Sequence, residues 1–153
     1  MDVLVAYLHY LAILVVAACV ASEYALLGQI GQIGNRDAIE RLGRLDTFYF
    51  LALGVVVLSG FARFFASSKG LVFYAGNSMF WLKLLVFGIV AGLSLMPTRY
   101  YSRWRHHVNM DGAFTVPANE LKVVRLFLTA ELSLVAVLPL LAVLMARNIG
   151  HAG

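Results

Sequence analysis

The sequence predicts an all-α fold: a four-helix transmembrane bundle, antiparallel, with both termini outside. Three observations carry that reading. Apolar side chains make up 61% of the 153 residues and charged ones only 13%, where a soluble domain needs roughly a quarter charged to cover its surface. Four apolar tracts long enough to cross a bilayer follow one another along the chain, and the polar joints between them differ in their content of Lys and Arg. The single cysteine, Cys19, excludes the other apolar class, a secreted scaffold held by internal disulfides. The formal net charge of +4 does not make a nucleic-acid binder, because the basic residues lie between long apolar tracts. One integral-membrane domain, residues 1–153, fills the length and leaves no room for a separate soluble catalytic domain.

Val3 to Ser22 holds no Asp, Glu, Lys or Arg, and the apolar character continues to about Leu27. At ~1.5 Å per residue this run crosses a hydrocarbon layer of about 30 Å. No basic segment precedes it, and Cys19-Val20-Ala21-Ser22-Glu23-Tyr24 is a poor cleavage context, so it reads as a retained span and not a signal peptide. The second span reads from about Leu45 to Ala66, uncharged from Thr47 to Ala62, with Arg63 close to its far end. Gly76-Asn77 marks a turn. The third span runs from about Ser78 to Tyr100 and includes Lys83, an expensive residue to immerse. The fourth follows Val116-Pro117-Ala118, with Asn119 placed as its cap, and ends near Ala146. Within it Glu131 falls near mid-depth, and Pro139 is read as a harmless bend. Gly88, Ala91 and Gly92 in span three, and Gly54 with Gly60 in span two, give small-residue faces expected to close the bundle internally.

The first loop contains glycines from Gly28 to Gly34, but no strand precedes them and no Gly-Lys-Ser/Thr ending follows, so nucleotide binding is not expected. Its charges Arg36, Asp37, Glu40, Arg41 and Arg44 suggest a solvated amphipathic turn or two. Loops one and three carry eight Lys and Arg near the spans, against three on the opposite face, Arg63, Lys69 and Arg147. The inequality places loops one and three in the cytoplasm of a bacterial inner membrane.

Polar residues inside the spans are the candidate site. His9 in span one and Lys83 in span three lie at matched depth, ~8 to 9 Å below their helix starts. Neutral histidine is a good axial ligand for haem iron, and Lys83 or Arg63 would neutralise propionates. Met79, one turn before Lys83, is a second candidate ligand and equally ordinary packing material. Aromatic residues including Phe48, Tyr49, Phe64, Phe73, Tyr74, Phe80 and Trp81 border a flat group or form an interfacial belt. Toward the inner side stand Glu23, Asp46 and the pair Arg41 and Arg44. An ion pair of Glu23 with one of these arginines is the expected arrangement, with a proton relay as the alternative, and Glu131 could pass protons inward. Arg103-Trp104-Arg105-His106-His107 reads as a basic, aromatic interface anchor and not as a metal site.

Tyr7-Leu8-His9, Arg41-Leu42-Gly43-Arg44-Leu45-Asp46, Phe80-Trp81-Leu82-Lys83-Leu84, and the stretch from Arg125-Leu126 through Glu131 together resemble a family of small four-span bacterial membrane proteins of unknown function, DUF2214, over nearly the whole chain. More distantly the chain is similar to the HemJ-type protoporphyrinogen oxidases, which bind haem b and use a first-helix histidine and a later-helix lysine. That likeness implies His9 as haem ligand and Lys83 beside the tetrapyrrole. The chain departs from the oxidases at Ser22-Glu23-Tyr24-Ala25, where they have Tyr-Leu-Pro-Arg, and at Ser94, where they have histidine.

The expected function is therefore that of a b-type haem-binding inner-membrane protein with an electron-transfer or small oxidoreductase role. Its partners would be the lipid bilayer and a quinone, a tetrapyrrole or a redox protein, with a homo-oligomer as a further arrangement. The alternatives are a non-enzymatic membrane partner or assembly factor, and a small proton-coupled transporter.

Overall fold

The computed structural model describes residues 2–30, 35–66 and 76–147. They form four helices, α1 (Asp2–Leu27), α2 (Asn35–Ala66), α3 (Ser78–Met110) and α4 (Ala118–Ala146), and no strand. All four are long and apolar enough to cross a membrane. Lys69, Phe73, Tyr74, Gly31 and Gly34 lie outside the described residues.

Two helices overrun their expected bounds. α2 begins at Asn35, not near Leu45, because Ala38, Ile39 and Leu42 continue the stripe that the span itself buries. The charges between them stay in solvent, where Arg36 pairs with Glu40 one turn on at 3.2 Å. α3 runs to Met110, beyond the expected end at Tyr100, and carries Tyr101, Trp104 and Val108 into the core. The N-termini differ in how they are capped. The Asn77 side chain accepts the Met79 N–H at 2.9 Å and starts α3. Asn119 lies inside the first turn of α4 and is exposed, so it does not cap. The first helical bond there runs from Leu121 N–H to the Pro117 carbonyl.

The chain goes up and down around a square. α1 packs on α2, α2 on α3, α3 on α4 and α4 on α1, while the diagonal pairs keep their backbones apart and meet across the axis only through long side chains. Each helix therefore turns one stripe to the shared axis. On α1 it is His9, Ala12, Val16, Cys19, Val20, Glu23 and Leu27, spaced by threes and fours as a bundle seam requires. The outward faces carry large apolar residues such as Leu58 (72% exposed), Phe65 (71%) and Leu126 (69%). In water this would be ruinous; in lipid it is the solvent-matched surface.

Because lipid tails are as apolar as leucine, burying more leucine adds little to helix association in a bilayer, and packing and interhelical hydrogen bonds do that work. The expected small-residue faces contribute at one point. A methyl group on Gly60 would stand 3.4 Å from His9 Cε1, in contact with the ring, so this glycine marks where α2 comes up against His9. At Gly54, Gly88 and Gly92 an added methyl meets nothing within 4 Å. These three do not close the bundle, contrary to the sequence expectation.

Candidate functional site

Polar groups collect on the bundle axis at two levels, set by His9 and by Glu23. Both lie on the buried stripe of α1, and fourteen residues of helix put them ~21 Å apart. Between them the axis is filled by Ala12, Val16, Val20, Ala52, Val56, Val90 and Val135, all buried.

At the first level His9 of α1 meets Ser59 of α2, with Nδ1 and Oγ 2.9 Å apart. Ser59 Oγ also lies 2.5 Å from the Val55 carbonyl of its own helix. A hydroxyl has one proton. Donated to that carbonyl, it leaves Oγ to accept from Nδ1–H, and Nε2 then holds the lone pair that a metal needs. The charges that act on the ring are Lys83 of α3 and Arg63 of α2, which also act on one another. The Arg63 guanidinium sits over the Tyr10 ring, 5.3 Å from its centroid. His9, Lys83 and Arg63 are thus brought to one layer from three helices. As a donor set, one oriented imidazole with two cations suits a single axial bond to haem iron and two propionates. Met79 belongs to the same end but packs against the apolar group of Val86, Leu138 and Leu141. Phe64 and Phe80 stack nearby with centroids 5.6 Å apart.

At the second level every helix contributes. Glu23 of α1, Asp46 and Tyr49 of α2, Ser94 and Pro97 of α3, and Glu131 of α4 line one narrow cleft. It is too tight as it stands to admit a water molecule. Glu23 is 3% exposed and Glu131 1%. Tyr101 donates its hydroxyl proton to Glu23 Oε2 at 3.2 Å. The Thr98 hydroxyl lies 2.7 Å from Asp46 Oδ1 and 2.9 Å from the Ser94 carbonyl, so its one proton goes to one or the other. Glu23 Oε1, Glu131 Oε1 and the Tyr49 hydroxyl are buried and form no hydrogen bond of good geometry, although the Tyr49 hydroxyl faces Glu131 and Ser94 closely enough to interact with both. Pro97 shapes this level from inside α3: it lacks the N–H that would bond the Leu93 carbonyl.

Arg41 and Arg44 do not join the acids. Both are exposed, and the ion pairs among the described residues are Arg36 with Glu40 and Arg103 with Glu120, so the expected pairing of Glu23 with an arginine is replaced by Tyr101. The cause is geometric. The helical continuation of α2 back to Asn35 turns Arg41 and Arg44 to the outside of the turns that bury Ala38, Ile39 and Leu42. Arg44 instead lines a surface cleft with Glu40, Gly43, Thr47 and Arg105.

Trp104 also departs from expectation. It is fully buried and donates Nε1–H to Glu120 Oε2 at 2.6 Å, while Arg103 pairs with the other oxygen of the same carboxylate. It is a lock between α3 and α4, not an interfacial anchor. His106 and His107 are exposed; His107 stacks on Phe114, and among the described residues no group of His, Cys, Asp and Glu is arranged to hold a metal ion. The residues that sequence reasoning missed are Ser59, Tyr101 and Thr98, together with the inward role of Tyr49. One signal was present: Ser94, Pro97, Thr98 and Tyr101 fall at helical spacing on one face of span three.

The chain belongs to the family described as "Predicted membrane protein (DUF2214)", whose profile matches residues 1–150. No curated protein and no solved structure matches it. Family and helices together make it a membrane protein, with the bilayer as its surroundings.

Proposed function

We propose that the chain is a b-type haem protein of the bacterial inner membrane with an electron-transfer or small oxidoreductase role, oriented with both termini outside. The observation that carries this reading is the joining of a buried histidine, its Nδ1 held by Ser59 at 2.9 Å, with the two cations Lys83 and Arg63 that act on it. Bound haem would supply one-electron chemistry. The chain's own part is to orient the imidazole through Ser59, to admit it against α2 at Gly60, and to offset anionic groups with Lys83 and Arg63. A charge partner here acts with little screening by water, which makes each cation count for more than it would at a surface.

The test is the reduced-minus-oxidised absorbance spectrum of detergent-purified protein, with haem content measured per chain. A haem b signal near one per chain supports the reading, and a colourless, folded protein that takes up no added haemin rejects it. Orientation is tested separately: Asp37→Cys and Met110→Cys should resist a membrane-impermeant thiol reagent in intact cells, and Ala152→Cys should be labelled. The reverse pattern removes the orientation.

A second reading has its own support. The His9 to Ser59 bond joins α1 to α2, and helix association alone would account for it; the protein would then be a non-enzymatic membrane partner or assembly factor. In that case His9→Ala lowers thermal stability and no haem is found in the wild type.

A further inference from the structure

The acidic level requires an explanation that bundle stability does not supply. Three carboxyl groups and two tyrosine hydroxyls face one another from all four helices, with Glu131 1%, Glu23 3%, Tyr49 2% and Tyr101 2% exposed. Three of their oxygens have no hydrogen-bond partner, and no Lys or Arg pairs with them among the described residues. Leucine at Glu131 and phenylalanine at Tyr49 would fill the same space without burying unpaired polar atoms, so packing does not select these residues. Ionised together, the three carboxylates would repel one another in a region where water screens little. The group needs a positive occupant, and its geometry restricts what that is. The carboxyl groups do not converge into a set able to chelate a metal ion, and the cleft excludes even a water molecule. The cation that fits is a proton.

We propose that Glu23, Asp46 and Glu131, with Tyr49 and Tyr101, form a proton-exchange site on the bundle axis that communicates with one side of the membrane only. The side is that of Arg44 and Arg105. Asp46 is the half-buried member of the trio, and its neighbour Thr47 lines the surface cleft that also holds Arg44 and Arg105. Toward His9 the buried Cys19 thiol, one turn from Glu23, is the last titratable group among the described residues on the axis, and beyond it Ala12, Val16, Val56 and Val90 offer no group that carries a proton on to His9. Each transfer breaks one O–H bond and makes another: a carboxyl oxygen gives its proton to a neighbouring carboxylate, directly or through a tyrosine hydroxyl that accepts one proton as it releases its own. No electron moves and no other bond changes. The site does not rest on the haem reading, and it would remain if His9 bound nothing.

Infrared spectroscopy of the full chain in lipid vesicles tests this, because a protonated carboxyl shows a carbonyl band separate from that of a carboxylate. The wild type should show such a band near neutral pH, shift it in deuterium oxide, and lose it on alkaline titration. Glu131→Gln and Glu23→Gln should each remove part of the band, and Asp46→Asn should slow deuterium exchange of the remainder several-fold. Tyr49→Phe, which deletes a hydroxyl that faces Glu131 and removes no acid, should shift the band and keep the fold, so the test does not depend on variants that lose an acid. Absence of a carboxyl band in the wild type, a band that neither exchanges nor titrates, or one untouched in all the variants would overturn the site. A band displaced by sodium chloride at constant pH would overturn it in favour of a metal cation. Unchanged exchange in Asp46→Asn would overturn the one-sided route.

Discussion

The two ends of the bundle axis use the same helices and the same buried stripe to opposite effect. At the His9 level the polar groups are basic, and the histidine has a defined partner in Ser59. At the Glu23 level they are acidic, and three oxygens have no partner. The two are separated by ~21 Å of helix lined with alanine and valine, with Cys19 one turn from Glu23. A bundle held together only by packing would need neither level, and one stabilised by a buried ion pair would bring the opposite charges together. Keeping cations and acids apart across an apolar plug forgoes their mutual stabilisation, and the two proposals above give each end its own counter-charge: an anionic group at one, protons at the other.

The contrast can be broken most severely at His9. Replacing it by alanine should abolish stoichiometric haem recovery while Glu23-level infrared bands persist; haem recovery equal to wild type would move the ligand elsewhere. Lys83→Met keeps much of the stem and removes the charge. It should weaken haem retention or slow reduction several-fold while changing melting temperature little, and haem content, midpoint potential and reduction rate all equal to wild type would confine Lys83 to snorkelling.

At the acidic end, Trp104→Phe removes the donor to Glu120 but leaves Arg103 in place. A loss of about 1 to 2 kcal/mol in unfolding from detergent is expected, with haem content unaffected. Tyr49→Phe should cost less than about 1 kcal/mol, since the Tyr49 hydroxyl forms no hydrogen bond of good geometry. The smallest effect belongs to the glycines. Gly88→Ala should be neutral within about 0.5 kcal/mol, whereas Gly60→Ala presses a methyl toward the His9 ring and should alter the haem spectrum before it alters stability. Equal and substantial destabilisation by both would mean that Gly88 packs against another chain.

Much of the architecture was legible in the residues. A run such as Val3 to Ser22 without a charge has one stable fate in a chain this apolar, and Lys83, Glu131 and His9 stand out because immersion makes each of them costly. The expectation that His9 and Lys83 share a depth comes from counting residues along helices of known rise, since depth in a membrane is a one-dimensional property. Less legible were the helix ends. Arg36, Asp37, Glu40, Arg41 and Arg44 resemble a polar loop when read one by one, and only their alternation with the buried Ala38, Ile39 and Leu42 makes them the outer face of a continuing helix.

Which polar groups meet across the axis was a matter of rotation, not depth. Glu23 and Arg44 belong to the same end of the bundle, yet Arg44 faces the surface cleft and Glu23 faces Tyr101, seventy-eight residues away in the chain. A tyrosine near a span end is ordinary at a membrane interface, so the sequence alone does not single out Tyr101. By itself, then, the amino-acid order determined that the chain has four helices long and apolar enough to cross a membrane and where along each helix every polar residue falls, because hydropathy and helical rise act along one segment at a time. The partners of Glu23, His9 and Trp104 were decided only when four helices closed into a square, since a helix's rotation about its own axis is set by its two neighbours and not by its own residues alone.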